Sequence, residues 1–549
     1  MASSDAPFDA VVVGAGATGG VAAMVLAEAG LKVLVLEAGP EVRPEQLRNR
    51  EPLHSLQRLA WLSDGRRRLQ ANHPGYWKHN PELFVDERLH PYSTPADAPF
   101  LWTRGRQVGG KSLTWGGITL RLSDLEFRAG ERDGLSPCWP IGSTDLAPYY
   151  DRLERLLGVH GQCDGLPQLP DGDYRPPLPF TPGEEHLREA IGRELGLPLI
   201  HSRGFALHRP TAEQPWPSSA AQGVTLRRAL ATGRVRVRPL SVVSHLEFDR
   251  AQQRAEAVVI VDARSGERRR IAAPLVVLCA STIETVRILL HSSEQQRSGG
   301  LIDPSGCLGR FLMDHISTCR FFSIPEIAAP PGPVELSGAG SCFIPNTVNL
   351  GTEHALPFHR GYGIWTALQR FDPPAPFQRR PGEAVGFLIA HGEVLPDAAN
   401  QVRLDPDLLD AHGLPAAHIS CRWGPNEAAM VAHMHGRMQE VVAAAGGTIR
   451  PVEDLFRLPL LEPLVRRSLA VRPEAPPPGY YIHELGGARM AARADEGVVD
   501  GWNRCWGAAN VLVTDGACWP TAGWQSPTLT EMAVTWRACE AAVRGRGGV

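Results

Sequence analysis

A handful of residues in this chain have the type and spacing to do chemistry. Gly14, Gly16 and Gly19 form a GxGxxG run between the apolar stretch AVVV and a stretch rich in Ala and Leu. In such a run the first glycine permits a tight turn. The second lets backbone approach a pyrophosphate, and the third lets helix pack on strand. Thr18 lies in the same turn and is counted with the binding residues. The helix that follows offers free N–H groups and a positive dipole end to phosphate. Glu37 closes the next apolar stretch, 18 residues after Gly19. A carboxylate there accepts from the ribose hydroxyls of an adenine dinucleotide and disfavours one with a 2′-phosphate. The motif alone does not choose between FAD and NAD.

Two further segments carry chemistry. Residues 104–117 read RGRQVGGKSLTWGG, with five glycines in fourteen residues. Such a backbone can pass close to a flat ring system. Near the C-terminus stand His483 in HELGGARM, Asp515 and Gly516 after NVLVT, and the run Gln525, Ser526, Pro527, Thr528. An imidazole has the pKa to take a hydroxyl proton near neutral pH. Pro527 suits the first turn of a final helix.

Taken together, FDAVVVGAGATGG, RGRQVGGKSLTWGG, HELGGARM and SPTLT resemble the glucose-methanol-choline (GMC) oxidoreductases. They are most similar to the branch of pyranose oxidase, glucoside 3-dehydrogenase and gluconate dehydrogenase. The resemblance covers residues 8–39, 100–150, 275–315 and 481–542. It implies FAD as cofactor, hydride transfer from an alcohol carbon to flavin N5, and His483 as the base. It puts Arg104, Gly109, Gly110, Ser112, Trp115 and Gly116 beside the flavin ring. Asp515 and Gly516 belong with the ribityl-phosphate region, and Pro527 and Thr528 with a helix start whose N–H groups stabilise the anionic reduced ring. Two departures matter. Thr114 stands where pyranose oxidases carry a histidine bonded to flavin, so the FAD is expected to be non-covalent. Ser526 stands where the family places Asn or His. A serine can hydrogen-bond a substrate oxygen but is no base, and Gln525 beside it is the candidate for the missing amide. Lys111 is either a surface lysine or a phosphate or flavin contact.

The elements that must position these residues follow from periodicity. Short all-apolar runs at 10–13 and 32–36 read as buried parallel strands, with a helix over 21–28 between them. Residues 274–290 repeat the pattern as a strand and a helix, and 510–514 with 528–543 close it. Residues 235–263 alternate like a meander around a turn at Arg250, Ala251 and Gln252. The helix over 149–157 leads into the cap. Residues 41–100 form an irregular excursion over the core. From 311 to 478 proline clusters separate short aromatic strands at 361–368 and 384–390; the clusters are Pro330, Pro331 and Pro333, then Pro373, Pro374 and Pro376, then Pro476 to Pro478. The expected fold is α/β: a Rossmann-like FAD-binding domain assembled from discontinuous segments, plus an α+β substrate domain with a mixed or antiparallel sheet. The segments are 1–130, 220–312 and 496–549 for the first domain, and 131–219 and 313–495 for the second.

Composition narrows the partners. The 549 residues carry 56 basic and 59 acidic side chains, a net charge of -3. That argues against nucleic acid and membrane surfaces as partners. Lysine occurs at positions 32, 78 and 111, and the arginine runs at 66–68 and 268–270 read as solvated loops. Ten cysteines without a CxxC pair argue against zinc or any other metal, and for free thiols in a reducing compartment. No apolar run reaches the roughly 18 residues of a membrane span. The N-terminus lacks a leader pattern, so a cytoplasmic enzyme is expected. The expected substrate is a small sugar, glycoside or glycosylated natural product, with oxygen or another acceptor taking the electrons. Oxidative decarboxylation or elimination, and an electron-transfer flavoprotein subunit, stay open beside it. Oligomeric state is not encoded legibly.

Overall fold

The computed structural model describes residues 7–48, 52–73, 79–249, 251–294, 301–351, 355–370, 378–455 and 475–546. Lys78, Arg250, Pro373, Pro374 and Pro376 lie outside that set. The chain folds as α/β with one largely parallel sheet and separate antiparallel sheets. In the first sheet, strands Ala508–Val513, Val276–Leu278, Ala10–Val13, Val33–Leu36 and Val235–Arg238 run parallel side by side. Arg504–Cys505 adds a short antiparallel edge. The central strands AVVV, VLVL and VVL are apolar throughout because they are buried on both faces of the sheet. Each fully buried Val or Leu there contributes about 1.5–3 kcal/mol.

Helix Ala17–Glu28 is buried along most of its length, packed against Thr225–Ala231 and Thr528–Arg546. Its glycines allow that closeness. A Cβ at Gly19 would lie 2.0 Å from the Gly14 carbonyl oxygen, and one at Gly20 would lie 2.4 Å from Thr225 Oγ1. Helix Ser143–Leu157 packs on Thr528–Arg546, and its Leu146, Tyr150 and Leu153 join the core of the parallel-sheet half.

The alternating stretch 235–263 divides. Val235–Arg238 joins the parallel sheet, while Ser241–Asp249, Arg254–Asp262 and Arg268–Ala272 form a separate antiparallel meander. The break is at Leu240, whose φ of 55° turns the chain out of the first sheet. Arg268, Arg269 and Arg270 lie exposed on the edge strand of that meander. Arg67, by contrast, is buried, its guanidinium 4.6 Å from the Trp61 ring centroid, so the first arginine run is not a solvated loop.

The second large sheet is antiparallel throughout, in the order Thr448–Arg450, Ile316–Ile324, Ala384–Gly392, Tyr362–Leu368, Cys342–Ile344, Ile200–His201. Its side chains alternate cleanly. Phe322, Ile324, Ile364, Leu368, Leu388 and Ala390 enter a core with Met430, Met434 and Met438 of helix Pro425–Ala444. Residues of opposite parity face the other way, toward the cavity described next. That helix was not anticipated, although Pro425 at its start and Glu427 accepting from the Gly424 N–H announce it.

Candidate active site

One cavity of about 610 Å³ runs between the two large sheets. Gly14, Gly16, Thr18 and Glu37 line it at one end; His483, Ser526 and sheet residues line it at the other. Arg104, Gly110, Ser112, Thr114, Trp115, Gly116, Asp515, Pro527 and Thr528 all face it as well. Gly19, Gly109, Gly516 and Gln525 are not in its wall. Gly19 serves helix packing, and Gly109 makes a left-handed turn at φ 96° that starts the short helix Gly110–Leu113.

The phosphate end fits a dinucleotide. Gly14 adopts φ 99°, and a Cβ on it would strike the Cys279 carbonyl oxygen at 2.2 Å. A Cβ on Gly16 would meet no chain atom nearer than the Gly109 carbonyl oxygen at 3.9 Å, so the space over Gly16 belongs to the cavity. Gly16 caps helix Ala17–Glu28 without any side-chain cap bond, which leaves the helix N-terminus to a ligand. Glu37 accepts the N–H groups of Ala15 and Gly39, each at 3.0 Å. Burial pushes its carboxyl up, and those donors with Arg106 pull it back toward ionisation. Each oxygen keeps a lone pair for a ribose hydroxyl.

The glycine-rich loop is fixed by its own polar groups. Ser112 donates to the Gly109 carbonyl at 2.6 Å and accepts the Ala221 N–H. Trp115 donates to the Ser219 carbonyl. Arg104 is buried beneath Trp102, donates to the His90 carbonyl and stands 3.8 Å from Glu284. Lys111 is not a free surface lysine: its Nζ pairs with Glu484 at 2.7 Å. Close by, Asp515 accepts from Thr285 Oγ1 at 2.5 Å and from the Ala517 N–H. Burial pushes Asp515 up to about 6 and Glu531 up to about 8.

His483 is set by a second histidine that sequence reasoning missed. The Nδ1 atoms of His483 and His315 are 2.7 Å apart, and His315 Nε2 is 2.8 Å from the Gly523 carbonyl oxygen. A carbonyl only accepts, so His315 Nε2 carries the hydrogen. Burial holds the His315 imidazole down to about 4, hence neutral, so its Nδ1 is the acceptor. The hydrogen between the rings therefore belongs to His483 Nδ1. His483 Nε2 is left with its lone pair, on a ring that lines the cavity. Burial, then His315, His391, Lys111 and His73, holds His483 well below the ordinary histidine range. Asp314 pins this arrangement by accepting the N–H groups of His315, His483 and Gly479. Burial and neighbouring Glu484 push it up to about 7.

Ser526 lines the same cavity. Gln525 faces the core: its Oε1 accepts the Trp524 N–H, and its amide lies beside Glu126. Thr114 points its hydroxyl toward the Lys111 carbonyl at 3.4 Å.

Comparison with known proteins bears on the fold and the family. Residues 396–535 match the family model described as GMC oxidoreductase, and residues 12–45 match the NAD(P)-binding Rossmann-like domain. Residues 396–535 are thus similar to a GMC oxidoreductase domain. Curated relatives span nearly its whole length. It is 28% identical to 2-methyl-1,2-propanediol dehydrogenase of Mycolicibacterium austroafricanum, covering 98% of this chain and 95% of the relative. It is 28% identical to paromamine 6'-oxidase of Streptomyces fradiae, covering 98% and 91%. The fructose dehydrogenase large subunit of Gluconobacter japonicus is 25% identical, covering 98% of each chain. Pyridoxine 4-oxidase from Mesorbium loti shares the fold, with a TM-score of 0.62 at 18% identity over 97% and 99% of the two chains. The protein is thus an oxidoreductase whose dinucleotide site belongs to a flavin family. Among the described residues no helix is long and apolar enough to cross a membrane, no three His, Cys, Asp or Glu side chains converge as metal ligands, and all ten cysteines are unpaired.

Proposed function

We propose that this protein, as a GMC oxidoreductase, oxidises an alcohol carbon of a sugar or glycoside, with His483 as the base and FAD held without a covalent bond. The observation that carries the reading is the His315–His483 contact, which leaves Nε2 as the accepting nitrogen of a ring that lines the same cavity as the phosphate cradle. FAD, when bound, supplies the hydride acceptor. Gly14, Gly16 and the N-terminus of Ala17–Glu28 would hold its pyrophosphate, Glu37 its adenosine ribose, and residues 104–117 with Asp515 and Thr528 the remainder. The chain's own part is proton transfer and positioning. His483 Nε2 takes the hydroxyl proton, the O–H bond breaks, and the electron density pushed onto the carbinol carbon favours hydride departure. Ser526 hydrogen-bonds the substrate oxygen. His315 keeps the accepting nitrogen aimed into the cavity by holding the hydrogen on the other one.

Support for a carbohydrate comes from relatives named for paromamine and fructose. Support for a non-covalent cofactor comes from Thr114, which has no nucleophilic nitrogen to offer. The purified yellow protein, mixed anaerobically with a panel of sugars and glycosides, tests the reading: bleaching of the flavin band by at least one carbohydrate is expected. Bleaching only by non-carbohydrate alcohols would overturn the substrate class. Flavin that stays with acid-precipitated protein would overturn the non-covalent assignment.

A further inference from the structure

The antiparallel sheet presents a uniformly uncharged face to the cavity. Register fixes which side chains share it. Cys319, Ile389 and Trp365 lie opposite one another across three adjacent strands, and Phe321 lies opposite Phe387 in the next row. All five line the cavity. Trp365 meets Phe387 edge-on with ring centroids 4.8 Å apart, so the aromatic surface is continuous. Three titratable groups beside it are held neutral as well. Burial pushes the Cys319 thiol up to about 12 and holds Tyr480 well above the ordinary phenol range, while burial and His79 hold His73 down to about 3. Among the described residues, every ionised side chain in the cavity wall comes from the nucleotide-binding segments, the glycine-rich loop or the segment after His483, and none from the sheet.

A free hexose would leave most of its hydroxyls against this face without partners, and each unpaired buried hydroxyl costs free energy. A charged group would cost far more. A flat apolar group would instead gain dispersion and area burial from Phe321, Trp365 and Phe387. We propose that this sheet face is an aglycone subsite: the oxidised sugar is joined to an uncharged aromatic group that stacks on Phe321, Trp365 and Phe387 while the sugar hydroxyl meets His483. The inference rests on the carbohydrate-oxidation reading above and adds the class of glycoside.

The test is anaerobic stopped-flow reduction of the holoenzyme by glucose, methyl glucoside, phenyl glucoside and naphthyl glucoside, beside a glucuronide and a cationic aminoglycoside. The half-saturating concentration is expected to fall about tenfold or more from methyl to naphthyl glucoside, with a smaller change in the limiting rate. In Phe387→Ala the methyl-to-naphthyl ratio should collapse toward one, and in Phe387→Tyr it should persist. If the variants fail to fold, the wild-type series alone decides. Equal saturation by methyl and naphthyl glucosides, or lowest saturation by the glucuronide or the aminoglycoside, overturns the subsite. If no carbohydrate reduces the flavin but a naphthyl carbinol does, the subsite stands and the carbohydrate reading falls.

Discussion

His315 Nδ1 stands 2.7 Å from His483 Nδ1, and one hydrogen serves both atoms. The Gly523 carbonyl decides which ring owns it, because that oxygen claims the hydrogen on His315 Nε2. The proposed base is thereby held in one tautomer by a contact 168 residues away in sequence. His315→Phe removes the acceptor and frees His483 to turn or to exchange its hydrogen. Anaerobic flavin reduction should slow about 10–100-fold, the usual effect of a small misplacement at the reacting centre. His315→Gln restores an acceptor and should recover much of the rate. An unchanged rate in His315→Phe would mean the pair is packing only.

The pH profile carries a second expectation. Burial is the main cause of the low His483 pKa, and the Lys111 charge adds to it. A group held below its ordinary value is already unprotonated at neutral pH, so the base form is fully present there. The reduction rate should therefore stay flat from about pH 6.5 upward and decline only on the acid side. Lys111→Gln deletes a positive charge and leaves Glu484 without its partner. Both effects raise the His483 pKa, so the acid decline should move to higher pH. A profile that does not move, or moves to lower pH, contradicts the electrostatic role of Lys111.

The phosphate cradle predicts a separation of folding from cofactor binding. A Cβ at Gly16 touches only the Gly109 carbonyl oxygen, at an unstrained 3.9 Å, so Gly16→Val should fold with its thermal midpoint near that of the wild-type apoprotein. The valine fills the space where the pyrophosphate approaches, so the protein should purify colourless. Gly19→Val, with its Cβ 2.0 Å from the Gly14 carbonyl oxygen, should instead fail to fold. Flavin content and circular dichroism of the two variants check this. A yellow Gly16→Val protein would mean that the pyrophosphate lies elsewhere.

How much of this was legible in the sequence depends on whether the signal was local. The parallel strands, the phosphate turn, the aromatic strands Tyr362–Leu368 and Ala384–Gly392 and the last helix were readable, because apolar runs and glycine spacing act over a few residues. Val235–Arg238 misled because alternation does not say which sheet a strand joins. Helix Pro425–Ala444 was passed over because histidines and methionines blur its apolar stripe. His315 could not be read at all. It ends the matched stretch 275–315 just before a strand, where nothing local marks it as functional, and acquires a role only when the sheet half meets the Rossmann-like half. Gln525 shows the opposite limit: adjacency to Ser526 suggested a substrate contact, and the backbone turns its amide into the core.

The sharpest division of labour concerns His483 and Ser526, which both line the cavity and differ in what they can do there. The imidazole has a ring-nitrogen lone pair that can receive a proton; the serine hydroxyl can only orient an oxygen. His483→Ala should keep its FAD, since the cofactor contacts lie on other segments, and should reduce it roughly 10²–10⁴-fold more slowly. Ser526→Ala should cost about one hydrogen bond, ~0.5–1.5 kcal/mol, or up to roughly tenfold in rate. Ser526→Asn installs one of the two residues, Asn or His, that the family resemblance places there and should match or exceed the serine with a simple alcohol. Stopped-flow reduction of the three variants, each first checked for flavin content, separates the roles. His483→Ala reducing its flavin at the wild-type rate across the pH range would remove the histidine from the chemistry. Loss of reduction in Ser526→Ala alone would shift the proton step to the serine side of the cavity and redirect the substrate search from alcohols to carboxylic acids.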